Sequence, residues 1–278
     1  MRIKNLKVCR CVVKVLLFCL FTLLPLSSFA QVGEYRKDLA VGFNGGMVMS
    51  NVAFVPKVPQ GMLNGPTFGF TARYTCEKYF KSICAVVAEV NYSQMGWKEN
   101  ILDMNDQPVP LHTDESQTLA YQRKMSYIQV PLLARLGWGR ERKGFQFFIQ
   151  LGPQVGFYLN DKTESNFDVH DPAFNPNVKN CYYGPDYQYA NKRVSHVVAQ
   201  DTMAVENKVD YGIALAGGLE FSHRHAGHFI VEGRYYYGLG NLYGASKRDY
   251  FGRSNFGSII VKFTYLFDII RTKNSNIK

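Results

Sequence analysis

Beyond its first thirty residues the chain has no apolar run long enough to cross a bilayer as a helix, which takes roughly 20 residues. Cysteine is scarce. Of six, Cys9, Cys11 and Cys19 fall within those first thirty residues, and the remaining Cys76, Cys84 and Cys181 fit no metal-ligand spacing. Tryptophan is limited to 2 residues against 18 Tyr and 20 Phe. No stripe interleaves basic and aromatic side chains, so a nucleic-acid partner is not expected. The formal charge of +10 overstates the basic character. Five cations (Arg2, Lys4, Lys7, Arg10, Lys14) sit in the first thirty residues, which hold no acid, so the remainder carries +5.

What the N-terminus does contain is an export signal. The five cations precede an apolar stretch from Val15 to Leu26, and Ser28-Phe29-Ala30 supplies small residues three and one before a cut ahead of Gln31. The same stretch left uncleaved would be an anchor, but it is short for a span and the cut site follows directly. Lipoprotein processing requires a small residue before the cysteine, and Phe18 precedes Cys19. The expected organisation is a signal peptide over 1–30 and one barrel domain over 31–278.

From Leu39 onward the pattern is that of strands. In Val209–Phe221 the odd positions are Val, Tyr, Ile, Leu, Gly, Leu and Phe, whereas the even positions are small or charged. Alternation over about ten residues suits a strand with one face in lipid and one in a lumen. Eight segments qualify: 39–49, 67–76, 83–97, 125–138, 145–159, 208–222, 228–239 and 256–267. Their connections alternate long and short. Those at 50–66, 98–124, 160–207 and 240–255 are long, and those at 77–82, 139–144 and 223–227 are short. An exported chain without helices can span a membrane only as a closed barrel. Long outer loops and tight periplasmic turns are its usual form. The fold expected is therefore all-β, a transmembrane antiparallel up-and-down β-barrel of eight strands. Within the longest loop, Val194–Ala199 reads as an additional strand or as part of two more.

The same phase assigns the lumen. Arg73, Arg135, Arg234 and Lys262 face Glu89, Asp210, Glu220 and Glu232, four cations to four anions. An eight-strand barrel is only just wide enough for its own side chains. Lone charges there are costly, so these eight are expected to pair across the interior. The turns leave one choice open. Cys76 and Cys84 flank Glu77-Lys78-Tyr79-Phe80-Lys81 and suit either a bridge across a hairpin or two free thiols.

Catalytic and metal sets are thin. His223, His225 and His228 cluster in what reads as a solvated periplasmic turn, with no acid or Cys at ligand spacing. Asp168, His170 and Asp171 share a polar loop, and Ser195-His196 has no third member beside it. Gly45-Gly46 and Gly217-Gly218 precede no helix, so they are not phosphate loops. No enzyme activity, cofactor or metal is expected.

Several segments resemble, in order, strands of the PorT-like outer-membrane β-barrel proteins of Bacteroidetes. Glu89–Gly96 is similar to their E-x-x-Y-x-x-x-G strand, Tyr127–Ala134 to Y-x-x-[IV]-P-L-L, and Leu151–Gly156 to G-P-x-x-G. Asp210-Tyr211-Gly212 with Ala216–Phe221 resembles D-x-G…G-x-G-x-E, with Ala216 in place of a Gly. Arg234–Leu239 followed by Asn241 resembles R-Y-x-x-G-L-x-x-[IL]. The resemblance implies an eight-strand barrel without catalysis, and partners in the type IX secretion apparatus. The long 160–207 loop and the tail Asp268–Lys278 depart from the pattern.

Two functions follow from these readings. One is a structural or accessory barrel, plugged by its own side chains, that supports secretion or surface binding through its loops. The other is a small-solute porin. Outer-membrane lipid and lipopolysaccharide are the expected surroundings. The mature protein should fractionate with the outer membrane and begin at Gln31. N-terminal sequencing that returns Met1, or recovery from the soluble periplasm, would contradict the export reading.

Overall fold

A computed structural model of the chain describes residues 34–55, 57–79, 81–102, 107–111, 114–140, 143–168, 200–201, 203–223, 226–244 and 251–272. Eight long strands carry the fold: β1 (Glu34–Val55), β2 (Leu63–Tyr79), β3 (Ser82–Asn100), β4 (Ala120–Gly139), β5 (Gly144–Ser165), β6 (Val209–His223), β7 (Gly227–Gly238) and β8 (Arg253–Ile270). Each hydrogen-bonds to the next, and β1 closes on β8 from Leu39↔Ile270 to Val55↔Arg253. This is a closed antiparallel up-and-down β-barrel of eight strands, in which no main strand has a free edge.

Side-chain alternation explains why these segments become strands of a membrane barrel. On β4, Ile128, Val130, Leu132, Ala134, Leu136 and Trp138 point outward, while Gln129, Leu133 and Arg135 are buried in the lumen. On β6, Tyr211, Ile213, Leu215 and Leu219 are about half exposed, and Asp210, Ala214, Ala216 and Glu220 are buried. The outward set continues as Phe43 and Met47 on β1, Phe68 and Phe70 on β2, and Val261 and Phe263 on β8. In water such a band would be costly; in lipid it is what a barrel wall requires. Rings meet near the short-turn end, where Phe145 lies 5.0 Å from Phe221 and Phe229 lies 5.1 Å from Tyr265. Such rings form an interfacial girdle.

The turns show their chemistry. Gly227 (φ 83°) opens β7 after the β6–β7 turn, and Gly139 (φ 130°) and Gly144 (φ 118°) bracket the β4–β5 turn. These left-handed conformations favour residues without a Cβ. Two prolines, which have no N–H to donate, interrupt the ladders of β4, Pro131 on the β3 side and Pro153 of β5 on the other. Pairing skips from Ala88↔Leu132 to Asn91↔Gln129, and from Pro131↔Gln154 to Ala134↔Leu151.

The strands run further than the periodicity suggested. β1 starts five residues before 39 and ends at Val55, and β5 continues to Ser165. A register shift near Ser126 places Ser126 opposite Asn160 and Tyr127 opposite Tyr158, leaving Leu159 as an extra residue. Period-two counting stops at such a bulge, because it reverses the phase. The tail assignment is corrected in part, since Asp268–Ile270 belong to β8. The 98–124 connection holds the ends of β3 and β4 and a small hairpin, Pro110–Leu111 with Asp114–Thr118. Cys76 and Cys84 are free thiols, offset by a bulge that pairs Glu77 with Cys84. The expected signal peptide (1–30), Val194–Ala199, His170, Asp171, Cys181, Ser195-His196 and His225 lie outside the described residues.

Leu215 sits in the middle of the outward band, with Leu151 and Tyr235 as its cross-strand partners. Leu215→Arg should cost about 2–4 kcal/mol in urea unfolding from lipid vesicles if it lies near the midplane, while Leu215→Val should be nearly silent. Equal stability of the Arg variant and wild type would mean that this face does not contact lipid.

Candidate functional site: the barrel interior and its outer mouth

The short turns mark the periplasmic end of such a barrel and the long connections its outer end. Inward-facing residues build the interior in layers between these ends. Nearest the short turns, Glu220 on β6 accepts from Arg73 Nη1 of β2 at 2.6 Å and from Arg135 of β4. Its other oxygen lies 2.7 Å from His228 Nδ1 and accepts from Ser222 Oγ at 3.0 Å. His228 Nε2 stands 3.0 Å from Asp268 Oδ1, and the Asp268 carboxylate also accepts from Arg271 Nε at 2.5 Å. The Arg135 guanidinium covers the Phe148 ring at 3.8 Å. A cavity of about 40 Å³ adjoins this layer, lined by Asp38, Arg73, Arg135, Glu220, His228 and Asp268 among others.

The next layer is a four-charge ring. Glu89 on β3 accepts from both terminal nitrogens of Arg234, at 3.0 and 2.9 Å, and from Lys262 Nζ at 2.5 Å. Glu232 lies 2.8 Å from Arg234 and 3.3 Å from Lys262. Asn91 donates to Glu89 at 2.8 Å and accepts from Asn44 at 2.7 Å, extending the contacts to β1. Two acids and two bases, almost wholly removed from solvent, thus neutralise one another. Such a group is costly to break by removing one member.

Above the charges the lumen becomes apolar. Val48, Met95, Met125, Tyr127, Tyr236, Phe256 and Ile260 form a buried cluster that continues to Phe54, Trp97, Tyr243 and Phe251. Tyr127 meets Phe256 edge-on at 5.6 Å, and Phe54 meets Trp97 the same way at 5.2 Å. At the mouth, Arg123 donates to Asp161 at 2.6 Å, to the Met203 carbonyl at 3.0 Å and to the Gln200 carbonyl. Gln200 is fully buried. Its amide accepts from Trp97 Nε1 at 2.5 Å and donates to Glu99 at 2.7 Å. The described end of the long 160–207 connection is therefore packed into the outer opening.

Residues 29–244, more than half of the chain, match the model of the outer membrane protein beta-barrel domain. The chain belongs to that family. Its place is the outer membrane. The last strand, β8, lies beyond the matched residues yet closes the barrel on β1. Solved structures similar to the chain include OprG from Pseudomonas aeruginosa. It is 13% identical, with 84% of this chain and 98% of that chain covered and a TM-score of 0.40. Ail of Yersinia pestis is 13% identical over 84% of this chain and 99% of its own, with a TM-score of 0.32. The protease OmpT from Escherichia coli is 8% identical over 86% of this chain and 98% of its own, with a TM-score of 0.29. At these scores the likenesses assign no activity. No curated protein sequence matches the chain.

Seven of the eight lumen charges read from the sequence fall into the two charged layers. Asp210 is the correction: it accepts from the Tyr236 hydroxyl at 2.6 Å, and no ion pair joins it to a described cation. It lies toward the apolar layer, away from Arg73, Arg135 and Arg234, where a phenol is the donor within reach. His228 is a second correction. It is buried in the lumen, whereas a solvated turn was expected, and the inward phase it shares with Glu232 and Arg234 was the signal for this. Extending the phases of β6 and β8 likewise brings in Ser222 and Asp268. The resulting Ser222–His228–Asp268 chain has hydrogen-bonding distances of 2.8 and 3.0 Å. It is nonetheless poorly arranged for nucleophilic catalysis. His228 Nδ1 is shared between Ser222 and the nearer Glu220 carboxylate, and Ser222 is buried and does not line the cavity. Among the described residues no group of three His, Cys, Asp or Glu could hold a metal ion.

Glu99 lies above the apolar band, where the outward neighbours are Lys98, Gln122 and Lys124. Burial pushes its carboxyl up to about 8, against the opposing hydrogen bond from Gln200. A carboxyl with a raised folded-state value stabilises the packed mouth most below the ordinary glutamate range, and that support fades as pH rises toward 8. Trp97 fluorescence in a Trp138→Phe background should therefore report a looser mouth at pH 9 than at pH 5. Glu99→Gln should abolish the difference, and a pH response that survives this change would exclude Glu99 as its source.

Proposed function

We propose that this outer-membrane barrel is an accessory, non-catalytic protein whose lumen is closed by its own side chains and whose binding is done by the outer loops. The observation that supports this reading is the continuity of the filling. Charged layers around Glu220 and Glu89 are followed by the apolar cluster from Val48 to Phe251 and then by Gln200 in the mouth. An eight-strand barrel filled in this way leaves no aqueous channel, whereas open porins use about 16–18 strands. The surroundings of the wall are outer-membrane lipid and lipopolysaccharide. The ordered resemblance to PorT-like barrels supports partners in a type IX-like secretion apparatus, engaged through the outer loops.

The competing reading is a small-solute porin, and one experiment separates the two. Purified full-length protein in planar bilayers should give no steady single-channel conductance, and liposomes carrying it should not take up sugars. Glu220→Ala should destabilise the barrel by about 3–5 kcal/mol, because it strands Arg73 and Arg135, rather than open a path. Steady conductance on the nanosiemens scale from the wild-type monomer would move the protein to the porin reading.

A further inference from the structure

The outer wall carries a feature that neither the plug nor the loops explain. Three neighbouring strands each place a lysine on the outward face just beyond the apolar band: Lys98 on β3, Lys124 on β4 and Lys162 on β5. The ladders bring them together. Lys124 is the direct cross-strand partner of Lys162, and on its other side it faces Gly96, two residues before Lys98. Directly opposed side chains in antiparallel strands have Cβ atoms about 5 Å apart. Three like charges so close are unfavourable unless an anion joins them.

Glu164 neutralises one of the three. It accepts from Lys124 at 2.7 Å, from Lys162 at 3.2 Å and from Gln122 at 2.7 Å. Lys98 is exposed and has no ion-pair partner among the described residues, so the patch keeps a net charge of +2. A recess of about 280 Å³ opens between Lys98, Gln122, Glu164 and Asn166. Below the lysines, toward the membrane, the outward face turns to Tyr92, Ile128, Phe157 and Leu159. The bulge at Leu159 is what makes this geometry. It reverses the phase of β5, so that Asp161 enters the mouth to meet Arg123 while Lys162 and Glu164 point out.

A cationic row above an apolar wall, at the outer rim, matches one chemical class: an anionic headgroup whose acyl chains lie along the strands. We propose that Lys98, Lys124 and Lys162 form a binding site for the phosphorylated headgroup of an outer-leaflet lipopolysaccharide molecule, with its acyl chains on the Tyr92–Ile128–Phe157–Leu159 face. The site depends on the outer-membrane location and the strand topology, and it stands whether or not the lumen is closed. The phosphate displaces Glu164 from Lys124 and Lys162, so Glu164 weakens binding and tunes it.

The test uses the full-length mature protein in phosphatidylcholine nanodiscs doped with bisphosphorylated lipid A, with retained lipid counted by native mass spectrometry after release into detergent. Wild type should keep lipid A, and the combined variant Lys98→Gln, Lys124→Gln, Lys162→Gln should lose about tenfold or more of that retention. Lys143→Gln, at the opposite rim, should change nothing. Glu164→Gln should raise retention, a direction that a mere folding defect cannot mimic. Dephosphorylated lipid A should be held no better by wild type than by the triple variant, and millimolar inorganic phosphate should not displace the bound lipid. Equal retention by the triple variant, a loss with Glu164→Gln, or tight binding of dephosphorylated lipid A would overturn the proposal. Displacement by inorganic phosphate would also overturn it, assigning the lysines to a soluble anion.

Discussion

The structure rests on the closure of β1 against β8. In hydrocarbon an unpaired backbone N–H or C=O finds no water, so an open sheet edge is untenable and the last strand must find the first. That ladder runs from Leu39↔Ile270 to Val55↔Arg253. Closure at eight strands then fixes the interior diameter, and the diameter dictates what can stand inside: side chains that touch their opposite numbers. The contact from Arg73 on β2 to Glu220 on β6 and that from Lys262 on β8 to Glu89 on β3 each cross this width. The charges are tolerated because the walls bring opposite signs within bonding distance.

How much of this could be read from the chain depends on where phase holds. Within the apolar band the alternation is uninterrupted, so the eight strands, their outward faces and the identity of the lumen charges were legible. Pairing was less so. Asp210 has the phase of a lumen acid but stands too far toward the outer end to meet Arg73, Arg135 or Arg234, and height along a tilted barrel is not written in any one strand. His228 and Asp268 were hidden for a different reason. Each lies at a strand end, where a turn or a tail is the natural reading, although both continue the inward phase of their strands.

The outer mouth was the least legible part. Its members, Trp97, Glu99, Arg123, Asp161, Gln200 and Tyr243, come from strand extensions and from the ends of long connections. One lies past a bulge that inverts the count. The inward residues also change character along the axis, from charged near the turns to aromatic near the loops. A sequence shows this change only after the strands have been aligned side by side. Floor and mouth accordingly hold in different ways. The floor depends on ion pairs around Glu220, whereas the mouth depends on ring packing, a small number of buried hydrogen bonds and the single pair Arg123–Asp161.

The extension of β3, β4 and β5 past the apolar band has a mechanical consequence. A strand rises about 3.3 Å per residue, so the six to eight residues of these strands beyond the band, tilted as barrel strands are, lift their ends roughly 15–20 Å above the bilayer surface. Built as a braced sheet instead of free chain, this collar acts as a pedestal. A macromolecule approaching from outside would meet the loops at a fixed height, clear of the innermost sugars that coat the cell, and would not have to push through them to make contact.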